Sequence, residues 1–160
     1  MNILDQIVAY KKKEVAATKA AVSLDSLRSF RYYEQPCRSM AGSLKSSNSG
    51  IIAEHKRRSP SKSVINEKSD LPDVILGYQQ AGVSAISVLT DTRFFGGSLT
   101  DLLLARSISR VPLLRKDFMI DPYQFHQAKA YGADAVLLIA AILHLDQVSE
   151  FAKLSRDLGL

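Results

Sequence analysis

Two short apolar segments of the sequence each end in residues that can carry charge or contact a flat ligand. The first, IIAEHK, ends with Glu54 and Lys56, and the second, VPLLRKDF, ends with Lys116 and Phe118. Because alternate residues of a strand share a face, the two members of each pair are expected on the same side of their strand. Ligands of parallel α/β folds bind at the carboxyl ends of the strands, so the four side chains are predicted to converge on one site.

The chemistry predicted for this site is the binding of an anionic ligand. A carboxylate two residues from a lysine, as in Glu54 and Lys56, can hold the ammonium group in place and keep it charged. The alternative is that Lys56 and Lys116 are strand-end cations whose charged tips reach solvent. The same change from apolar to charged residues in both segments favours a functional site.

Two loops carry further candidate binding residues. The sequence RRSPSKS, which contains Ser59 and Pro60, offers hydroxyl groups, backbone donors and cations that suit a phosphate, and a solvated turn is its simpler interpretation. The sequence TDTRFFGGS places Phe94 and Phe95 before two glycines, which allow close approach of the backbone. One of these rings is expected to form a wall of the binding site for a flat aromatic ligand. The alternative is that the rings pack in the core under the next helix.

A repeated order of strands and helices is predicted to position these residues. Apolar runs typical of strands buried on both faces occur at 51–56, 84–91, 111–118 and 134–142. Helical segments are predicted between and after them at 70–82, 98–108, 121–132 and 144–159. Four successive βα units indicate an α/β fold with a parallel sheet and right-handed crossovers, either doubly wound or barrel-like.

The ends of the chain are interpreted from helix signals. Residues 1 to about 33 are predicted as helix, with a restart near Ser23, and residues 34–49 as a connection. Gly82 and Gly132 each stop a helix before an apolar strand, since glycine accepts the left-handed conformation after a last turn. Gly159 is a third stop of this kind, which predicts a further strand and a longer α/β protein. The alternative is that Gly159 caps a C-terminal helix.

The composition argues against several classes of protein and site. The formal net charge of +5 favours anionic partners, but the basic residues are scattered and show no nucleic-acid-binding signature. The single cysteine, Cys37, excludes a disulfide within the chain, and the histidines show no metal-ligand spacing. No apolar run approaches the roughly 20 residues of a membrane helix. A soluble cytoplasmic protein without metal, membrane or nucleic-acid partners is therefore expected.

Four sequence blocks, IIAEHKRRSPSKS, AGVSAISVLTDTRFFGGSL, VPLLRKDFMIDPYQ and GADAVLLIAAIL, together resemble the indole-3-glycerol phosphate synthase family. They occur in order from about Ile51 to Leu143, and the preceding helices resemble that family's N-terminal extension. The resemblance implies a (βα)8 TIM barrel, with a helical extension at 1–49 and the first four βα units at 50–160. It also implies a lyase of tryptophan biosynthesis that closes and decarboxylates carboxyphenylamino-deoxyribulose phosphate, with no metal or organic cofactor.

The resemblance assigns roles to individual residues. Lys116 matches the family's usual general acid, and Lys56 matches the lysine that binds the substrate carboxylate and can share the acid role. Both roles suit an ammonium group in a closed site, and Glu54 completes the set carried over as catalytic. The substrate-binding positions carried over from the family are Ser59, Pro60, Phe95, Phe118 and Leu137.

The sequence departs from the family pattern in two positions and in length. His55 and Ser63 replace a usual aliphatic residue and a usual glycine, and neither position is carried over as catalytic. The family's glutamate on strand five, its asparagine on strand six and its phosphate site on strands seven and eight would lie beyond Leu160. The chain is therefore expected to be truncated, inactive alone and able to self-associate. The alternatives are a non-catalytic half-barrel with residual phosphate affinity, and another phosphate-binding barrel enzyme, which the ordered blocks disfavour.

Overall fold

The computed structural model describes residues 2–160, which fold as four successive βα units behind a helical N-terminal segment. In these residues the parallel strands, hydrogen-bonded in chain order, are β1 (Ile52–His55), β2 (Ala85–Leu89), β3 (Leu113–Lys116) and β4 (Ala135–Val136). The N-terminal helices are α1 (Ile3–Ala21), α2 (Leu24–Arg28) and α3 (Met40–Ser46). The predicted α/β fold with a parallel sheet is confirmed.

Each strand is followed by helical structure that packs on one face of the sheet. The helices after the strands are α4 (Leu71–Gln80), α5 (Thr92–Phe95), α6 (Leu99–Ile108), α7 (Tyr123–Ala130) and α8 (Leu145–Asp157), with a 3-10 turn at Ala140–Ile142. The stops predicted at Gly82 and Gly132 are confirmed by φ angles of 76° and 86°. No helix within residues 2–160 combines the length and apolarity needed to cross a lipid bilayer.

The core lies between the sheet and its helices. Its buried apolar side chains come from alternate strand positions and from the inward stripes of the helices, as a half-covered sheet requires. They are Leu71, Ile75, Ile86, Val88, Leu102, Ala105, Leu113, Ala128 and Ala133. The opposite face of the sheet is the one on which the candidate site residues lie.

The strand register aligns the candidate residues in rows across the sheet. Glu54 of β1 lies beside Ser87 of β2, and Ser87 lies beside Leu114 of β3. Leu89 of β2 lies beside Lys116. Because residues in register share a face and a height, Glu54 and Lys116 are brought to the same side of the sheet near the carboxyl ends of their strands.

The amino ends of the strands are held by one buried carboxylate, Asp134. It accepts hydrogen bonds from the Arg106 guanidinium at 2.9 Å, the Leu113 amide at 2.9 Å and the Arg38 amide at 2.7 Å. A buried charge is stable only when such partners replace water. Asp134 therefore joins α6, β3 and the N-terminal segment at the end of the sheet opposite the candidate site.

The structure differs from the sequence expectations at three elements. Residues 40–46 form α3 inside the predicted connection, because the Ser39 side chain caps the helix by accepting from the Gly42 amide. The predicted strand 134–142 is reduced to Ala135–Val136, since within residues 2–160 β4 pairs only with β3 and the chain then turns. The short helix α5 was not predicted, and it begins where the Asp91 carboxylate accepts from the Phe94 amide.

Candidate active site

Glu54 lies at the centre of the site and holds both candidate lysines. Its Oε2 atom accepts hydrogen bonds from the Ser87 hydroxyl at 2.7 Å and from Lys116 Nζ at 3.3 Å. Its Oε1 atom lies 3.3 Å from Lys56 Nζ. The side chains of Lys56 and Lys116 are 36% and 33% exposed, so both ammonium groups remain open to a ligand. The structure thus brings three of the predicted residues together around one carboxylate.

The electrostatics of this cluster favour an anionic ligand. Burial alone would raise the pKa of Glu54, but the hydrogen bond from Ser87 and the neighbouring Lys116 and Lys56 ammonium groups lower it. Glu54 therefore stays ionised near neutral pH. One carboxylate facing two ammonium groups leaves the site with a net positive charge, which suits a substrate that carries carboxylate or phosphate.

Aromatic rings form one wall beside the lysines. The ring centroids of Phe95 and Phe118 lie 6.0 Å apart at an interplanar angle of 38°, and Lys56 Nζ lies 6.0 Å from the Phe95 centroid. Phe94 instead packs edge-on against Tyr10 of α1, with centroids 6.0 Å apart. Of the two adjacent phenylalanines, Phe95 is therefore the one at the site. An aromatic wall beside two cations suits a flat anionic ligand.

The other candidate residues lie outside this cluster. Ser59 hydrogen-bonds within its own loop, where its amide donates to the Lys62 carbonyl at 2.8 Å and its hydroxyl lies 3.2 Å from that of Ser61. Pro60 is exposed in the same loop. Leu137 directly follows β4 and is half-buried. These three positions remain predictions about substrate contacts.

Arg57 anchors the loop after β1 to the rest of the site. Its guanidinium makes two hydrogen bonds with the Asp101 carboxylate, at 2.7 and 3.1 Å, and a third with the Gly96 carbonyl at 3.0 Å. Such a paired arrangement fixes the orientation of an arginine more firmly than a single contact. The next residue, Arg58, donates to the Thr92 carbonyl at 2.6 Å. The loop that carries Lys56 is therefore held against the loop that carries Phe95.

A buried ionic network next to the site was not predicted from the sequence. The Lys11 ammonium lies 2.9 Å from Asp91 Oδ2 and 3.0 Å from Asp117 Oδ1, although the Lys11 side chain has no exposed surface. Asp117 Oδ2 also lies 3.0 Å from the Arg115 guanidinium and accepts from the Thr90 hydroxyl at 2.6 Å. The helical spacing gave a signal for the burial of Lys11, which stands four residues from each of the buried Ile7 and Val15 on α1, but none for its partners.

The network shifts the pKa of both its central groups. Burial by itself would lower the pKa of Lys11 and raise that of Asp117. The neighbouring opposite charges outweigh burial in both cases. Asp117 and Asp91 raise the pKa of Lys11, while Arg115 and Lys11 lower the pKa of Asp117 to about 2. Both groups are therefore fully charged at neutral pH.

This depressed pKa predicts a loss of stability in acid. A carboxyl group whose pKa is about 2 in the folded chain against an ordinary 3.8 stabilises the fold above pH 3.8 and loses that contribution as the pH falls toward 2. The contribution of Asp117 is roughly 2 kcal/mol. We expect the free energy of unfolding, measured with urea between pH 5 and pH 2, to fall less steeply in Asp117→Asn than in the wild type. Equal slopes would contradict the assignment.

The histidines have structural surroundings, and no metal cluster is visible in the described chain. His55 lines a small cavity on the helix side of the sheet with Leu71 and Ile75. The His126 ring stacks on Tyr33, and His144 caps α8. Within residues 2–160 no three His, Cys, Asp or Glu side chains are grouped so that they could hold a metal ion.

Known proteins are similar to this chain along nearly its whole length. The family model described as "Indole-3-glycerol phosphate synthase" matches residues 4–160. A protein of that name from Bacteroides thetaiotaomicron is 49% identical over 159 residues, which cover 99% of this chain and 61% of the relative. One from Neisseria meningitidis is 42% identical over 99% of this chain and 63% of its own length, and "Indole-3-glycerol phosphate synthase 2" from Ralstonia nicotianae is 42% identical over 100% and 61%. The chain thus spans about 60% of the length of these relatives.

Proposed function

Because this chain belongs to the indole-3-glycerol phosphate synthase family, we propose that its gene product closes and decarboxylates carboxyphenylamino-deoxyribulose phosphate. The products are indole-3-glycerol phosphate, carbon dioxide and water. The observation that carries the proposal is the Glu54 carboxylate, which holds Lys56 and Lys116 at 3.3 Å each beside the Phe95 and Phe118 rings. That arrangement offers two proton-bearing cations and a flat apolar wall to a substrate with an aromatic ring and two anionic groups.

Each lysine is assigned one main task. Lys116 donates a proton to the carbonyl oxygen as the ring carbon attacks the carbonyl carbon. After Lys116 is protonated again it donates a second proton as the same oxygen leaves as water, and this proton is balanced by the one that the substrate loses as the indole double bond forms. Lys56 binds the substrate carboxylate, which leaves as carbon dioxide. Glu54 keeps the two ammonium groups at fixed positions, so that little rearrangement is needed as charge develops. Single variants of the lysines separate this division from a shared acid role.

The remaining predicted residues are assigned to substrate binding. Phe95 and Phe118 are proposed to contact the aromatic ring, and the half-buried Leu137 is proposed to extend this apolar surface. Ser59 and Pro60 lie in the loop after β1, whose hydroxyl groups and backbone amides suit the substrate phosphate. We propose a cytoplasmic location as well, supported by the single cysteine, Cys37, which makes the fold independent of disulfides.

The proposal is tested with the full-length gene product. Purified protein is mixed with carboxyphenylamino-deoxyribulose phosphate, and indole-3-glycerol phosphate is followed by its indole fluorescence while carbon dioxide release is measured in parallel. We expect equal amounts of both products. A folded protein that binds the substrate without turnover would instead support the alternative of a non-catalytic anion-binding module, which the net positive charge of the site also allows.

We further propose that residues 1–160 expressed alone are inactive and self-associate. Within residues 2–160, β1 and β4 each pair on one side only, and Ile51 and Ile52 beside the β1 edge are 53% and 41% exposed. Unpaired strand edges and exposed apolar side chains promote association between copies. We expect light scattering to give a mass above that of one chain, and Ile52→Lys to lower it. A well-folded monomer at micromolar concentration would contradict this proposal.

A further inference from the structure

Lys11 is an unusual residue to find without solvent. It belongs to three consecutive lysines on α1, yet its side chain is 0% exposed while the other two are exposed. Its ammonium group lies within 3.0 Å of three carboxylates, those of Glu14, Asp91 and Asp117. Removing an ammonium group from water is unfavourable, and this cost is offset only where opposite charges surround the group. Lys11 therefore draws two carboxylates from different strand ends to one point.

The first of these carboxylates, Asp91, positions the Phe95 ring. Asp91 follows β2, and its Oδ1 atom accepts from the Phe94 amide at 2.7 Å to begin α5. The Asp91 carbonyl accepts from the Gly97 amide at 2.9 Å, which closes the turn on its other side. Since Phe95 is the last residue of α5, its direction depends on how Asp91 is held.

The second carboxylate, Asp117, positions Lys116 and Phe118. It stands between them in the chain, and its Oδ1 atom accepts from the Phe118 amide at 2.8 Å. Its Oδ2 atom is fixed by Arg115 and by Thr90, and the Thr90 amide donates to the Lys116 carbonyl at 3.1 Å. The backbone on both sides of Asp117 is therefore set by contacts of this one buried carboxylate.

We propose that Lys11 is a positioning residue of the active site, which acts through Asp91 and Asp117. It holds the turn of residues 91–97 (the Phe95 corner) against residues 116–118 (the Lys116–Phe118 corner). This role rests on the proposed function. Without Lys11, two buried carboxylates would face each other with only Arg115 as a nearby cation in the described network. The two corners would lose the ammonium group that joins them, and repulsion between the carboxylates would add to their separation, so the gap between the rings and the acid would widen. The N-terminal helix thus contributes to the geometry of catalysis as well as to stability.

The test is Lys11→Met in the full-length gene product, measured well below its melting temperature. A displacement of about 1 Å at a reacting group can cost roughly 100-fold, so we expect kcat to fall about 10- to 100-fold. Because Phe95 and Phe118 are displaced as well, KM should rise, but by a smaller factor than kcat falls. The matched control is Lys129→Met. Lys129 is also a buried lysine, and it ties α7 to the N-terminal segment by donating to the Gln35 carbonyl at 2.7 Å, away from the strand ends. It should lower stability and leave kcat unchanged.

A second variant separates positioning from folding. Lys11→Met with Asp91→Asn removes one charge of each sign, so stability should recover, and asparagine still caps a helix well. We expect kcat to stay low in this double variant, because no ammonium group joins the two corners. Recovery of kcat together with stability would overturn the proposal, as would a normal kcat in Lys11→Met.

A readout independent of turnover comes from the two amides that the network binds. With ¹⁵N-phenylalanine labelling, Lys11→Met should move the amide proton signals of Phe94 and Phe118, which donate to Asp91 and Asp117. The Lys129→Met control should leave both signals in place. Unchanged signals in Lys11→Met would refute the coupling. A wild-type protein without synthase turnover would instead reject the proposed function, so the two failures are distinguishable.

Discussion

Replacing Lys116 by methionine should lower the kcat of the full-length gene product about 10²- to 10⁴-fold, with a much smaller change in KM. The ammonium group of Lys116 donates a hydrogen bond to Glu54, and the Lys116 side chain is one-third exposed, so the group is held in place and the side chain is accessible to a ligand. A general acid acts on charge that develops in the transition state, and its loss therefore appears in kcat. Methionine keeps the length of the side chain, so the packing around β3 is preserved. Steady-state kinetics of indole-3-glycerol phosphate formation measure both constants.

The matched comparison is Lys56→Met, which removes the other ammonium group from the same carboxylate. If Lys56 mainly binds the substrate carboxylate, its loss should raise KM more, and lower kcat less, than the loss of Lys116. Similar falls in kcat for both variants would indicate a shared acid role. Undiminished turnover in Lys116→Met would remove Lys116 from the catalytic mechanism.

The arrangement of Glu54, Lys56 and Lys116 could be predicted because strand geometry is strict. Glu54 lies on β1, Lys56 stands two positions later and directly follows that strand, and Lys116 ends β3. Parallel strands direct these side chains to the same end of the sheet. The contact between Lys116 and Glu54 depends on the register across β2, which no local pattern states. Ser87, the residue of β2 that lies beside Glu54, adds a hydrogen bond from its hydroxyl group to the Glu54 carboxylate.

The buried network could not be predicted from local pattern because its members come from distant parts of the chain. Three consecutive lysines usually form a solvated face, and only the partners of Lys11, found near residues 91 and 117, explain its burial. The same reason applies to the choice between Phe94 and Phe95. The α5 helix turns Phe94 toward Tyr10 of α1, and the sequence of the loop does not reveal that contact.

The length of β4 was predicted wrongly for a related reason. The sequence around 134–142 is apolar enough for a long strand, but a strand is defined by its hydrogen-bonded neighbours. Within the described residues, β4 pairs only with β3, and only at Ala135 and Val136. The apolar sequence therefore predicted where the strand lies, and the hydrogen bonds to β3 determine how long it is.

Among the glycines, Gly97 is the one at which a side chain would meet the backbone most closely. A Cβ atom built on Gly97 would lie 2.0 Å from the Leu89 carbonyl oxygen and 2.5 Å from the Leu89 carbonyl carbon, both in the backbone at the end of β2. A flexible side chain could move aside, but a paired strand cannot. The Gly97 amide donates to the Asp91 carbonyl at 2.9 Å and the Gly97 carbonyl accepts from the Thr92 hydroxyl at 2.8 Å, so the turn is fixed on both sides.

We therefore expect Gly97→Ala to lower the free energy of unfolding by roughly 2–4 kcal/mol, because the turn after α5 must move away from β2 and give up these hydrogen bonds. The same movement displaces Phe95 from Phe118, so kcat/KM should fall even at temperatures where the variant remains folded. Gly77→Ala is the matched control. Gly77 lies on the exposed face of α4 with no atom within 4 Å of a new Cβ, so alanine there should stabilise the chain by about 0.5–1 kcal/mol. Urea unfolding of both variants measures the contrast, and equal effects would show that the backbone at Leu89 yields to a side chain at position 97.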